Sequence, residues 1–227
     1  MATVRALPHW QARAQVHALA NALAATASLA RRRPEAAEDL LAHLAGYLRG
    51  LLRPARPMVP LAQEVGLVLA LVGVERARLG GRLRLEVSCP PEAMRVLVPP
   101  LVLHPLVENA VHHAVARRPE GGCVGVRVRL TAGGLMLAVA DDGPGVARPL
   151  PARAGGGLVA LRGRLAALWG SRARLRVWRR RPQGTLAVVV LPAAWPAPAR
   201  NGPTARWVAG RPHEDGPMGI PGFVRAR

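Results

Sequence analysis

The chain has 227 residues, half of them apolar, with 32 arginines, no lysine and 13 acidic residues, for a formal net charge of +19. That length is enough to bury a core of its own. One Phe, one Tyr and five Trp leave few rings for bases to stack on, which argues against a single-strand nucleic-acid binder, and no apolar run reaches the roughly 20 residues a bilayer span needs.

The arginines are dispersed. They fall in a turn (Arg31 to Arg33), at alternate strand positions (Arg82, Arg84, Arg127, Arg129) and in one run (Arg179 to Arg181). This is the pattern of solvated faces and strand edges, so no direct nucleic-acid contact is expected. Cys89 and Cys123 lack metal-ligand spacing and read as buried free thiols in a reducing compartment. No secretory leader opens the sequence, and a soluble, cytoplasmic protein is expected.

Residues 1–53 predict a helical hairpin. Residues 14–30 are rich in Ala and Leu without Gly or Pro. Pro34 suits the first turn of a second helix, with Glu35, Glu38 and Asp39 at its positive end. Leu40, Leu41, Leu44, Leu48, Leu51 and Leu52 then recur at helical spacing. So apolar a hairpin calls for a second copy, and a homodimeric four-helix bundle is the economical solution.

Residues 54–81 read as a proline-marked linker and a connecting helix over 61–78, closed by Gly80-Gly81. Residues 82–89 alternate as a strand, and Pro90-Pro91 ends it. A helix is expected over 100–116, then strands over 124–131 and 135–140 joined by a turn at Gly133-Gly134. A Gly, Pro and Ala-rich loop over 146–154 leads to a helix over 158–169 and two strands over 172–178 and 185–191. Residues 82–192 thus form one α+β unit. Residues 193–227, rich in Pro, Gly and Arg without periodicity, predict a disordered tail.

Three segments carry more than packing. PPLVLHPLVENAVHHAV (99–115) is an apolar run that delivers Glu108, Asn109, His112 and His113. Asp141-Asp142-Gly143-Pro144-Gly145 follows an apolar strand, and Gly155-Gly156-Gly157-Leu158 opens a helix. A nucleoside triphosphate site needs these residue types. Asp141 can accept from an adenine amino group, and Gly143 and Gly145 let the chain pass closely under a base. Asn109 offers a neutral oxygen to Mg²⁺ that also holds phosphate oxygens. Gly155 and Gly157 bring amide donors and a helix dipole to the phosphates.

These segments resemble the N, G1 and G2 boxes of the GHKL (Bergerat) ATP-binding fold, and 99–113 is specifically similar to the LytS/YehU branch of sensor histidine kinases. The likeness spans about residues 14–192, including Pro60 to Glu64, Val74 to Leu83, Arg162 to Leu165 and Gly184-Thr185. It implies an α/β sandwich ATPase domain behind a dimerisation and phosphoacceptor hairpin, with a lid over 146–154. It further implies ATP and Mg²⁺ as ligands, with Leu158, Thr185, His112 and His113 beside the nucleotide. The family's PHFLFN phosphoacceptor motif aligns with His17-Ala18-Leu19-Ala20-Asn21, which makes His17 the nucleophile, supported by Glu108. Its Pro and both Phe are absent here, and Ala160 stands where Asn is usual after GxGL.

The expectation is therefore a histidine kinase of a two-component system that autophosphorylates His17 and passes the phosphoryl group to a response-regulator aspartate. With little chain ahead of the first helix, input is expected from a partner such as a membrane-bound sensor, or from the tail, unless the chain is a fragment. Two alternatives stand beside it: a degenerate GHKL regulator or anti-sigma-type serine kinase without a phosphoacceptor His, and a basic nucleic-acid-binding module. Acid stability of the phosphoprotein bond, and salt-dependent DNA affinity, separate these. His43, His104 and His213 receive no role.

Overall fold

A computed structural model describes residues 20, 22–52, 56–79, 81–112, 118–146, 156–192, 205–209 and 223–225. Residues 22–30 are helical (α1) and turn at Arg31-Arg32 into α2, Pro34–Leu51. Pro34 opens α2, where its missing N–H costs nothing, and Glu35 and Arg49 sit at the ends that complement the helix dipole. Helix α3, Leu61–Arg78, follows.

α3 is apolar nearly all round because two layers cover it. On one side Val74 and Ala77 meet Ala22, Leu40 and Leu44 of the hairpin. On the other, Leu61, Val65, Val68 and Val72 join the main core under the sheet. Close approach of α2 and α3 uses small residues. A methyl on Gly46 would just touch Ala70, while one on Gly73 would collide with the His43 ring. The helix expected to be a connector is thus the middle layer of the molecule.

The main sheet comprises β2 (Leu83–Cys89), β4 (Gly122–Thr131), β5 (Gly134–Asp141), β6 (Arg174–Arg179), β7 (Thr185–Pro192), β8 (Ala205–Ala209) and β9 (Phe223–Arg225), and a separate two-stranded pair joins β1 (Val59–Pro60) to β3 (Leu97–Val98). Strand order is β6-β7-β5-β4-β2-β8-β9. Every pairing in it is antiparallel except β2 with β4. Between those parallel partners the chain crosses through α4, His104–Ala110, as a parallel pair demands. α5, Gly156–Trp169, packs beside α4. Odd-numbered residues of β4 and β5 alternate with even-numbered ones between the two faces, so that Val124, Val126, Val128, Leu135, Leu137 and Val139 all fall in the helix-covered core.

Three expectations need correction. Residues 205–209 and 223–225, assigned to a disordered tail, form strands, β8 pairing antiparallel with the edge of β2 and β9 with β8. The helix expected from residue 100 begins at His104, because Pro100 to Leu103 form turns in which Leu101 takes a left-handed φ of 58°. Cys89 is buried, but Cys123 is only half-buried. No helix among the described residues is long and apolar enough to cross a membrane.

Candidate functional site

The onset of α4 is clamped from both sides. Glu64, buried on α3, accepts from the Leu101 amide through Oε1 at 2.7 Å and from the Leu103 amide through Oε2 at 3.1 Å. Arg164 on α5 donates through Nη2 to the Leu101 carbonyl at 3.0 Å. A non-glycine residue in the left-handed region is uncommon and must be held there. Here a carboxylate holds its N–H and a guanidinium its carbonyl. Burial raises the pKa of Glu64, opposed by those amide donors and by Arg164.

α4 then carries a buried polar line. Tyr47 Oη lies 2.9 Å from His104 Nε2, with the rings stacked at 5.7 Å. His104 Nδ1 lies 3.9 Å from Glu108 Oε2. That separation is within ion-pair range, but burial lowers the His104 pKa to about 4, so the ring is neutral at pH 7 and the contact is dipolar. The assignment that follows puts the proton on Nδ1 facing Glu108 and has Tyr47 donate to Nε2. Burial, and then Glu75, raises the pKa of Glu108. Asn109, next in line, is half-buried, and His112, in a wider turn of helix, is exposed.

At the end of β5, Asp141 is 4% exposed, and its Oδ1 accepts from the Gly143 amide at 2.9 Å and the Thr185 amide at 3.0 Å. Its pKa is raised by burial, against the pull of these donors. Arg180 Nη1 donates to its carbonyl at 3.0 Å. The turn around it depends on missing side chains. Gly184, at φ 104°, has no room for a Cβ against the Asp141 carbonyl, and a Cβ on Gly145, at φ 84°, would lie 2.9 Å from the Gly184 carbonyl. Asp142 Oδ1 accepts from the Cys123 amide, and Arg118 donates to the Asp142 carbonyl at 2.7 Å.

Of the residues singled out from sequence, Asp141, Gly143 and Thr185 therefore meet in one hydrogen-bonded cradle, with Gly145 close against Gly184 beside it. Glu108 and Asn109 ride on α4, which packs against both β5 and α5. Gly157 is half-buried in the first turn of α5, and Leu158 is in the apolar core. His17, His113, Gly155 and the lid segment 147–154 lie outside the described residues. An open groove of about 740 Å³ lies on the opposite face of the sheet, and none of these residues line it.

Glu64, Arg164, Tyr47, His104, Arg118 and Arg180 went unassigned from sequence. His104 is corrected from no role to a buried link. A single carboxylate in the apolar first three turns of α3 and a lone imidazole in an apolar run were the available signals, since neither is buried without a partner.

A family model described as histidine kinase matches residues 6–83. The chain is 32% identical to the sensor protein LytS of Bacillus subtilis over 187 residues, covering 77% of this chain and 32% of that protein. It is 32% identical to the sensor histidine kinase BtsS of Escherichia coli K12 over 142 residues, 63% of this chain and 25% of that protein. It is also 31% identical to the sensor histidine kinase/phosphatase LytS of Staphylococcus aureus over 140 residues, 61% of this chain and 24% of that protein. The chain thus spans about a quarter to a third of the length of these relatives.

Proposed function

The chain belongs to the LytS-type sensor histidine kinases, and from that premise we propose that it binds ATP among α4, the end of β5 and the start of α5 and transfers the γ-phosphoryl group to His17. The observation that carries this reading is the grip of the Gly143 and Thr185 amides on one oxygen of Asp141. A carboxylate fixed this way at a strand end is oriented before any ligand arrives, and it reads the adenine amino group. Gly145 and Gly184 keep that turn low enough for a flat base to approach.

Phosphate contact falls to the amides at the start of α5, around Gly155 and Gly157, where the helix dipole favours negative charge. His112 and His113 are the imidazoles this chain offers to the phosphates. Asn109 is the ligand this chain offers to Mg²⁺. Such an ion is held largely by nucleotide oxygens and water. When bound, the ion offsets charge on the phosphates.

Neutral His17 attacks the γ-phosphorus in line, the bond to the bridging oxygen breaks, and ADP leaves. The phosphorylated ring then loses its remaining N–H proton, for which Glu108, with its raised pKa, is the acceptor. The phosphoryl group passes on to an aspartate of a response regulator. Leu23, Leu41 and Leu52 stand exposed on the hairpin, and they support homodimerisation through α1 and α2 in a cytoplasmic kinase module.

His17→Gln is expected to keep ATP affinity while abolishing acid-labile labelling from γ-labelled ATP. Undiminished labelling would remove the role from His17. Asn109→Ala should weaken ATP binding only when Mg²⁺ is present, and Asp141→Ala with or without it. Equal affinity in all three proteins would end the nucleotide assignment.

A further inference from the structure

The sheet face turned away from α3, α4 and α5 carries a bounded apolar floor. Pairing register aligns its side chains in rows. Arg127 on β4 stands opposite Ala138 on β5, which stands opposite Val188 on β7, which stands opposite Arg176 on β6. The next row is Arg129, Met136, Val190 and Arg174. Across these four strands each row therefore runs from arginine to arginine with two apolar residues between. Trp178 is 37% exposed and Val190 39%. The groove of about 740 Å³ follows the β6 and β7 side of this floor, with Arg172, Arg174, Arg176 and Trp178 in its wall. Strands β4, β6 and β7 contain no acidic residue, and Asp141 of β5 belongs to the other face.

Dimensions and charge select the occupant. Three interstrand steps separate the two arginine rows, about 14 Å. An α-helix with its side chains is about 10–12 Å across. We propose that this trough is a docking surface for an amphipathic helix of a partner protein, lying along the strands with its apolar stripe on β5 and β7 and acidic residues on both flanks. Those flanks face Arg127 and Arg129 on one side and Arg174 and Arg176 on the other. A bilayer is a broad surface that a groove between two lines of arginine fits less well than it fits a single helix, and a nucleic acid would gain nothing from the apolar floor. The assignment is independent of the kinase reading, since no residue of the nucleotide cradle takes part.

The test uses the full chain and a fluorescein-labelled 18-residue peptide of Ala, Leu and Glu, with Leu on one helical stripe and Glu on both sides of it. Fluorescence anisotropy is expected to show saturable binding. It should weaken at least tenfold for a scrambled peptide of the same composition and for the Arg127→Glu/Arg176→Glu variant, with ATP affinity unchanged. Arg127→Ser/Arg176→Ser should give an intermediate loss and guards against misfolding of the charge reversal. The proposal is overturned if both variants bind the peptide as the parent does, or if the scrambled peptide or polyglutamate binds equally well. It is overturned in favour of a membrane if phosphatidylglycerol vesicles bind the parent and not the variants while the peptide fails to compete.

Discussion

The phenol oxygen of Tyr47 on α2 lies 2.9 Å from Nε2 of His104 on α4, so that a residue of the helical hairpin ends inside the main core. Burial raises the phenol pKa, with Glu108 and Glu75 adding to it, and Tyr47 remains a donor throughout the useful pH range. Tyr47→Phe removes one buried hydrogen bond and leaves Nε2 without its donor. A loss of about 1–2 kcal/mol in urea unfolding is expected. Because the ring stack persists, the KM for ATP should change less than twofold; a larger change would mean that the hydroxyl positions α4 directly.

His104 itself predicts an acid-sensitive fold. Its pKa is about 4 in the folded protein against an ordinary 6.5. Between those values the unfolded chain takes up a proton that the folded chain refuses. Its contribution is complete above pH 6.5 and is lost as pH falls towards 4, by up to about 3 kcal/mol. Glu64, Glu108 and Asp141, whose pKa values are raised, act with the opposite sign. The difference between parent and His104→Gln isolates the histidine. Unfolding free energies measured from pH 7 to 4 should fall less steeply for His104→Gln, and parallel curves would contradict the neutral buried ring.

Glu64 shows how a carboxylate differs from its amide. Oε1 and Oε2 each accept from a separate backbone N–H, those of Leu101 and Leu103. Glu64→Gln would turn an amino group onto one of those donors, so it is no mild change. Glu64→Ala should cost about 3 kcal/mol, because two buried amides lose a charged acceptor, and Glu64→Gln nearly as much. Hydrogen exchange is expected to accelerate at Leu101, Leu103 and the first turn of α4. Unchanged protection there would show that Arg164 alone suffices to hold the turn.

The features legible in the sequence were those with local causes. Pro60 and the Gly80-Gly81 pair bracket α3, whose expected range matches Leu61–Arg78. Gly133-Gly134 marks the β4 to β5 hairpin, and the alternation on either side gives both strands. What could not be read has partners far along the chain. The late start of α4 follows from Leu101, held by a carboxylate 37 positions earlier. Asp141 was recognisable as a candidate, but its pairing with Thr185, 44 positions on, was not. β8 exists because β2 offers an edge, a cause absent from a Pro and Gly-rich tail. His104 was missed for another reason: its apolar neighbours announced burial, and a buried imidazole needs a partner, here Tyr47.

Glycine positions give the sharpest contrast between strain and tolerance. Gly184 holds φ 104°, where a Cβ is strained, and its added methyl would run into the carbonyl of Asp141. Gly163 sits in the exposed middle of α5, with nothing within 4 Å of an added Cβ. Gly163→Ala should stabilise by about 0.5–1 kcal/mol, through helix propensity alone, and leave ATP affinity as it was. Gly184→Ala should destabilise by more than about 1 kcal/mol and push the turn off Asp141. If the cradle reads adenine, the dissociation constant for ATP should then rise at least tenfold. Urea unfolding and nucleotide titration of the two variants check both, and a Gly184→Ala protein that binds ATP like its parent would separate the cradle from the nucleotide.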